Sequence, residues 1–207
     1  MTSSTLYFLI AIVPSIVLHE VSHGYVAYLC GDPTAKERHR LTLNPLAHVD
    51  LFGTILLPAL LIFSGLPAFG YAKPVPVDFS RLRHPRSQSL YVSLVGPLVN
   101  IVLSAVGFGI CELALHGLRS QALLNVGLYF GLVNLTLAAF NLLPIPPLDG
   151  SAVVERLVPT HRLHDYYRLR SRALPWVMIL IILDMTVFHV GTNFLSDLQT
   201  WWLNHLR

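Results

Sequence analysis

Four long apolar stretches dominate the chain, at 5–30, 88–115, 122–143 and 173–191. Each is close to or above the ~17–25 residues that cross a bilayer as a helix, so each predicts a transmembrane span. A fifth apolar run, LFGTILLPALLIFSGLPAFG at 51–70, is interrupted by Gly53, Pro58, Gly65 and Pro67, residues that kink or end helices. It predicts either a kinked span or a re-entrant segment. Polar stretches between these runs are short. TAKERHRLTLNPLAHVD at 34–50 alternates in part and ends in an Asn-Pro turn signal, and YAKPVPVD at 71–78 is held extended by its prolines. Both predict short β strands lying at the membrane surface. Beyond residue 192, Phe194, Leu195, Leu198, Trp201, Trp202 and Leu206 recur at helical spacing, which predicts an interfacial helix with tryptophans at the headgroup level.

Composition agrees with this pattern. Of 207 residues, 54% are hydrophobic and 12% charged, and the mean hydropathy is +0.60. A soluble domain carries about a quarter charged residues, so this chain is expected to have lipid as its main solvent. The net charge of +3 does not point to nucleic acid, because the arginines sit between apolar runs with no interleaved aromatic patch. Cys30 and Cys111 are far apart and form no CxxC, which argues against a disulfide framework or a cysteine zinc site. The N-terminus has no basic n-region and no small-residue cleavage site, so a removable signal peptide is not expected.

Charge placement adds direction, since lysine and arginine gather in cytoplasmic loops. If 51–70 crosses the membrane, the two sides hold 9 and 5 basic residues; if it is re-entrant, they hold 12 and 2. The re-entrant reading is preferred, with the N-terminus outside. The expected fold is therefore an all-α polytopic membrane protein of four to five transmembrane helices, with a re-entrant or kinked segment and the surface strands. It forms a single domain over 1–207, with a catalytic core at about 5–158 and a C-terminal helix and interfacial tail at 173–207.

Candidate chemistry sits in the first span. His19, Glu20 and His23 form H-E-x-x-H, and positions i and i+4 of a helix share a face, so both imidazoles can reach one metal ion. Glu20 can then serve a water at that metal as general base. Ionisable residues at this depth cost several kcal/mol unless they are paired or used. Satisfaction by interhelical hydrogen bonds alone would not account for the spacing. A catalytic zinc site needs a third protein ligand and one open position. Asp149 in FNLLPIPPLDGS is the best placed candidate, because in the re-entrant topology the first span and 122–143 run in the same direction and end on the same side.

Three ordered motifs, HEVSH at 19–23, GPLVN at 96–100 and NLLPIPPLDG at 141–150, resemble the site-2 protease family of intramembrane zinc metalloproteases. The segments LTLNPLAHVDLFGT and YAKPVPVD are similar to its compact bacterial branch without PDZ domains. The resemblance implies one zinc ion on His19, His23 and Asp149, with Glu20 as the catalytic base. It also implies substrate-backbone contact by Asn141 and, less directly, by Asn100, which helix packing explains equally well. The implied activity is hydrolysis of peptide bonds within or near the membrane segments of substrate proteins, with lipid and substrate helix as partners and no nucleic acid. The site would open to the cytoplasm, in a bacterial inner membrane. An unwound substrate could add to the edges near 37–43 or 71–77. A prenyl-protein protease would need a downstream glutamate ligand, and only Glu112 and Glu155 lie beyond residue 37. The alternative from another class is a non-catalytic metal-binding scaffold or transporter subunit. His48 and Asp50, in the loop after the first span, are read as surface or as residues orienting a ligand.

Overall fold

The computed structural model describes residues 3–66 and 70–206; Pro67 of the broken run and Arg207 of the basic count lie outside them. The described chain forms α1 (Ser3–Leu29), α2 (Thr34–Glu37), α3 (Leu57–Phe63), α4 (Pro85–Glu112), α5 (Gln121–Asn141), α6 (Ser151–Leu157), α7 (Leu163–Leu183) and α8 (Val190–Asn204). Wide helical turns precede α3 at Leu51–Leu56 and extend α4 at Leu113–Leu118 and α7 at Asp184–Phe188. Among the described residues, four helices are long and apolar enough to cross a membrane: Ser3–Leu29, Pro85–Leu118, Gln121–Asn141 and Thr160–Phe188. These correspond to the four runs read from the sequence.

A three-helix bundle of α1, α4 and α5 forms the centre, and its directions can be read from side-chain pairs. Tyr7 stacks on Tyr129 and Asn134 bonds Ser15, so α1 and α5 run parallel. His23 meets Val92 and His19 meets Asn100, so α4 runs antiparallel to α1. The α4–α5 crossing is close because Gly107 faces Gly131 and Gly127; a methyl group at Gly107 would overlap the backbone of α5.

The order of directions requires the segment between α1 and α4 to return to the side from which it left. The helical part of the broken run, Leu51–Phe63, is 13 residues long by its bounds, or about 20 Å at 1.5 Å per residue, well short of the ~30 Å hydrocarbon core. Its return is direct: Tyr71 N–H donates to Gly53 O at 3.1 Å, and Thr54 Oγ1 donates to Tyr71 O at 3.0 Å. Residues 53 and 71 thus lie side by side.

The surface strands are not found. Among the described residues there is no β strand. Within 34–50 the chain instead makes α2 and a 3-10 turn at Pro45–His48, which the Asn44 side chain caps at Leu46 N. Residues 71–78 form an irregular strap. Proline at 74 and 76 removes the donors of one edge, and the donors left at Lys73 and Val75 go to His48 O and the Glu20 side chain, so the strap is tied down by single bonds to several elements and not by a ladder. One of these anchors is Asp32, fully buried, whose carboxylate accepts from Asp78 N–H at 2.7 Å and from Thr34. Donors from Ser80, side chain first and then main chain, hold the exposed Asp78 carboxyl below the ordinary carboxylate range.

The tail also differs from a helix lying free at the surface. Trp202 of α8 is 5% exposed, seated in the space left by Gly131 of α5 and edge-on to Phe108. Gln199 donates to Thr136 of the same helix. Asp184, the residue after α7, has a carboxylate that accepts from Gly191 N–H and Thr192 N–H, closing the turn into α8.

Candidate metal centre

His19 and His23 lie one turn apart on the buried face of α1, 7% and 9% exposed, with their rings edge to face. Asp149 comes from the loop after α5. Its Oδ2 lies 3.1 Å from His19 Nε2 and 3.4 Å from His23 Nε2, and the two Nε2 atoms are 3.1 Å apart. The structure therefore brings together the three ligands expected from the sequence, one atom from each lying within 4.8 Å of the others.

Two glycines make this possible. A Cβ on Gly96 of α4 would overlap both imidazole rings, so the glycine of GPLVN is the wall against which the histidines fit. Gly150 lies so close to the Leu142 carbonyl that a side chain would collide with the backbone. Its N–H donates to Asn141 O at 2.7 Å, folding the proline-rich loop back and delivering Asp149 to the depth of α1. Pro144, Pro146 and Pro147 keep that loop out of helix.

The hydrogen bonds behind the ligands assign their tautomers. His23 Nδ1 is 2.6 Å from the Val92 carbonyl, which can only accept, so Nδ1 carries a proton and in the neutral ring the lone pair is on Nε2. For His19 the assignment runs through four side chains. Ser15 Oγ donates to Ala11 O at 2.7 Å and so accepts from Asn134 Nδ2 at 2.8 Å. Asn134 Oδ1 therefore faces Asn100 and accepts its Nδ2 at 2.7 Å, and Asn100 Oδ1 faces His19 Nδ1 at 2.5 Å. Ser15, Asn100 and Asn134 are all 0% exposed. The relay sets an acceptor at His19 Nδ1, so in the neutral ring its lone pair is on Nε2 and faces that of His23.

This donor set fits a zinc ion. In the neutral rings two Nε2 lone pairs face each other 3.1 Å apart, a repulsion that a cation between them would relieve, and Asp149 Oδ2 is buried without a hydrogen-bond donor of its own. Two nitrogens and a carboxylate oxygen from a helix and a loop leave a fourth position for water.

Glu20 is partly buried, and its Oε2 accepts from Val75 N–H of the strap at 2.9 Å. Asn141 is partly exposed, its amide donating to Leu137 O one turn back in α5. Asn100 is placed differently from the substrate-contact reading: it is sealed between α4, α5 and His19, where no substrate backbone can reach it. Asn134 and Ser15 were not singled out from the sequence; the signal available was an asparagine within a span, costly unless bonded. His48 is buried rather than at the surface, its Nε2 bonded to Thr42 O, and Asp50 caps the helical turn at Phe52 and Gly53. Their bonds are local and reach none of the three ligands. Glu155 is bound to Arg170 and Tyr167, and Glu112 faces His116. A cleft of about 870 Å³, lined by Glu37, Arg81, Arg86, Arg156 and Tyr167 among others, includes none of His19, His23 and Asp149 in its lining.

The family model described as peptidase family M50 matches residues 7–125 and 109–183. The chain belongs to peptidase family M50, the site-2 protease family of zinc metalloproteases. It is 43% identical over 159 residues to "Putative zinc metalloprotease YwhC" of Bacillus subtilis, a match covering 74% of this chain and 69% of that one. It is 31% identical over 170 residues to "Putative zinc metalloprotease Rip2" of Mycolicibacterium smegmatis, covering 81% of this chain and 62% of the relative. Against the Mycobacterium tuberculosis protein of the same name it is 34% identical over 142 residues, 68% of this chain and 53% of that one. This chain thus spans between about half and two thirds of the length of these relatives. No solved structure matches it significantly.

Proposed function

We propose that this M50 protein hydrolyses peptide bonds within or near the transmembrane segment of membrane-protein substrates, using one zinc ion held by His19, His23 and Asp149. The observation that carries the reading is the convergence of two imidazole Nε2 atoms and a carboxylate oxygen at one point, with Glu20 next to His19 in the chain. Zinc bound there supplies Lewis acidity toward the scissile carbonyl and acidifies water. Glu20 removes a proton from the attacking water and returns it to the leaving amine. Asn141, partly exposed at the end of α5, holds a substrate main-chain group in this reading. Asn100, by its burial and its bond to His19, serves the ligand rather than the substrate.

A substrate helix hides its carbonyls in its own hydrogen bonds and has to unwind before attack. The side at which α1 and α5 end carries Lys36, Arg38, Arg40, Lys73, Arg81, Arg83, Arg86 and the five arginines from Arg156 to Arg172, whereas Arg119 lies at the opposite end. By the positive-inside rule the site opens toward the cytoplasm, and a bacterial inner membrane suits this arrangement. A metal-binding scaffold would not need Glu20. The test is cleavage of single-span reporter proteins in proteoliposomes: activity that a zinc chelator abolishes and added zinc restores supports the proposal, and activity indifferent to chelation refutes it.

A further inference from the structure

The strap at 71–78 is fixed by more bonds than a simple connection needs, and one of them ends on Glu20. Lys73 N–H donates to His48 O at 2.9 Å, and Tyr71 and Asp78 are held as described above. Between them Arg40 Nη2 donates to the carbonyls of both Lys73 and Pro74, at 2.9 and 3.3 Å. Arg40 has no carboxylate partner among the described residues, and its Nε is buried without an acceptor, so a cation has been partly desolvated to grip two main-chain carbonyls. The next residue, Val75, is 6% exposed. Its side chain fills the space over Gly24, where a Cβ would come within 2.6 Å of Val75 Cγ1. Packed from one side by Gly24 and clamped from the other by Arg40, Val75 has its N–H aimed at Glu20 Oε2.

We propose that the Val75 main-chain N–H, held in place by Arg40, orients the Glu20 carboxylate for its work as general base. The proposal rests on the protease reading. A glutamate has three rotatable side-chain bonds, and a base has to be within hydrogen-bond reach of the proton it takes. Anchoring Oε2 on a fixed donor leaves Oε1 as the working oxygen and removes the search over rotamers. Val75 and Arg40 act through Glu20 and are positioning residues.

The sequence P-V-P offers a clean test. Val75→Pro removes the donor and replaces the buried side chain in a segment already bounded by proline, while Val75→Ala truncates that side chain and keeps the donor, so the pair separates the hydrogen bond from the packing. Steady-state cleavage of a reporter in proteoliposomes is measured alongside bound zinc and thermal melting for wild type, both Val75 variants, Arg40→Met and the double variant Val75→Pro/Arg40→Met. The expected result is a fall in kcat of about tenfold or more for Val75→Pro, with KM and zinc content retained and Val75→Ala within about threefold of wild type. Arg40→Met should lower kcat in the same direction and add little to Val75→Pro, since both act on one contact. Unchanged kcat in Val75→Pro overturns the proposal, as does a raised kcat, which would make the strap an inhibitory latch. A change confined to KM would make the strap a substrate contact and overturns it equally. If Val75→Pro fails to fold, Arg40→Met with intact zinc decides alone. Should wild type cleave nothing, the protease reading itself fails; should Glu20→Gln be dead while Val75→Pro is normal, only the positioning role fails.

Discussion

His19 Nδ1 lies 2.5 Å from Asn100 Oδ1 at a point where Asn100 is fully buried. The asparagine of GPLVN is thereby turned toward a ligand. Partners of this kind fix tautomer and ring orientation, and losing one costs about 10–100-fold in metal affinity. Asn100→Leu is therefore expected to weaken zinc binding by that factor in chelator competition. Asn100→Asp, which keeps an acceptor facing Nδ1, should retain affinity closer to wild type. Equal affinities in wild type and Asn100→Leu would detach Asn100 from the metal site.

The effect should extend one residue further. Asn134 Oδ1 accepts the Asn100 amide and thereby keeps its oxygen toward His19. Asn134→Leu leaves that buried donor unsatisfied, a cost of about 1–3 kcal/mol. It is expected to lower the melting temperature and also weaken zinc, although Asn134 touches no ligand. Ser15→Ala, which removes the acceptor of Asn134 Nδ2, should shift both in the same direction by less. Loss of stability with zinc affinity unaltered would make the relay a packing device only.

Gly96 presents a sharper steric case. A methyl group there would occupy the space of both imidazoles, backed by the α4 helix on one side and α1 on the other. Gly96→Ala is expected to abolish stoichiometric zinc binding while leaving the four spans inserted, measurable by metal content of the purified protein and by protease protection of the loops. Full zinc occupancy in Gly96→Ala would contradict the packing of α1 on α4.

The reading of 51–70 as re-entrant has an accessibility consequence. Cysteines introduced at Asp78 and Arg162 should label with an impermeant reagent from one side of the membrane, and a cysteine at Arg119 from the other. Labelling of Asp78→Cys and Arg162→Cys from opposite sides would mean that the segment crosses.

How far the sequence alone reached depends on the length scale of the interaction. The four spans were legible because a continuous apolar run has few alternatives in lipid. His19, Glu20 and His23 were legible because helical periodicity fixes their relative positions. Asp149 could be paired with them once the direction of α5 was inferred from charge, and the contact itself depends on the Gly150–Asn141 bond. The relay through Asn134 and Ser15 was not legible, since the residues are 119 positions apart and each alone is an ordinary polar residue in a span. The strands at 34–50 and 71–78 were misread because proline spacing reports extension but not a ladder partner. Trp202 was placed at the interface by its chemistry, and the Gly131 slot that receives it is visible only in three dimensions.

The most direct test of the protease account pairs zinc content with cleavage in Glu20→Gln and Asp149→Ala. Glu20→Gln is predicted to keep its zinc and lose cleavage by several orders of magnitude, because the base is removed while His19, His23 and Asp149 remain. Asp149→Ala is predicted to lose both. Cleavage that survives in Glu20→Gln, or zinc that stays at full occupancy and affinity in Asp149→Ala, would contradict it.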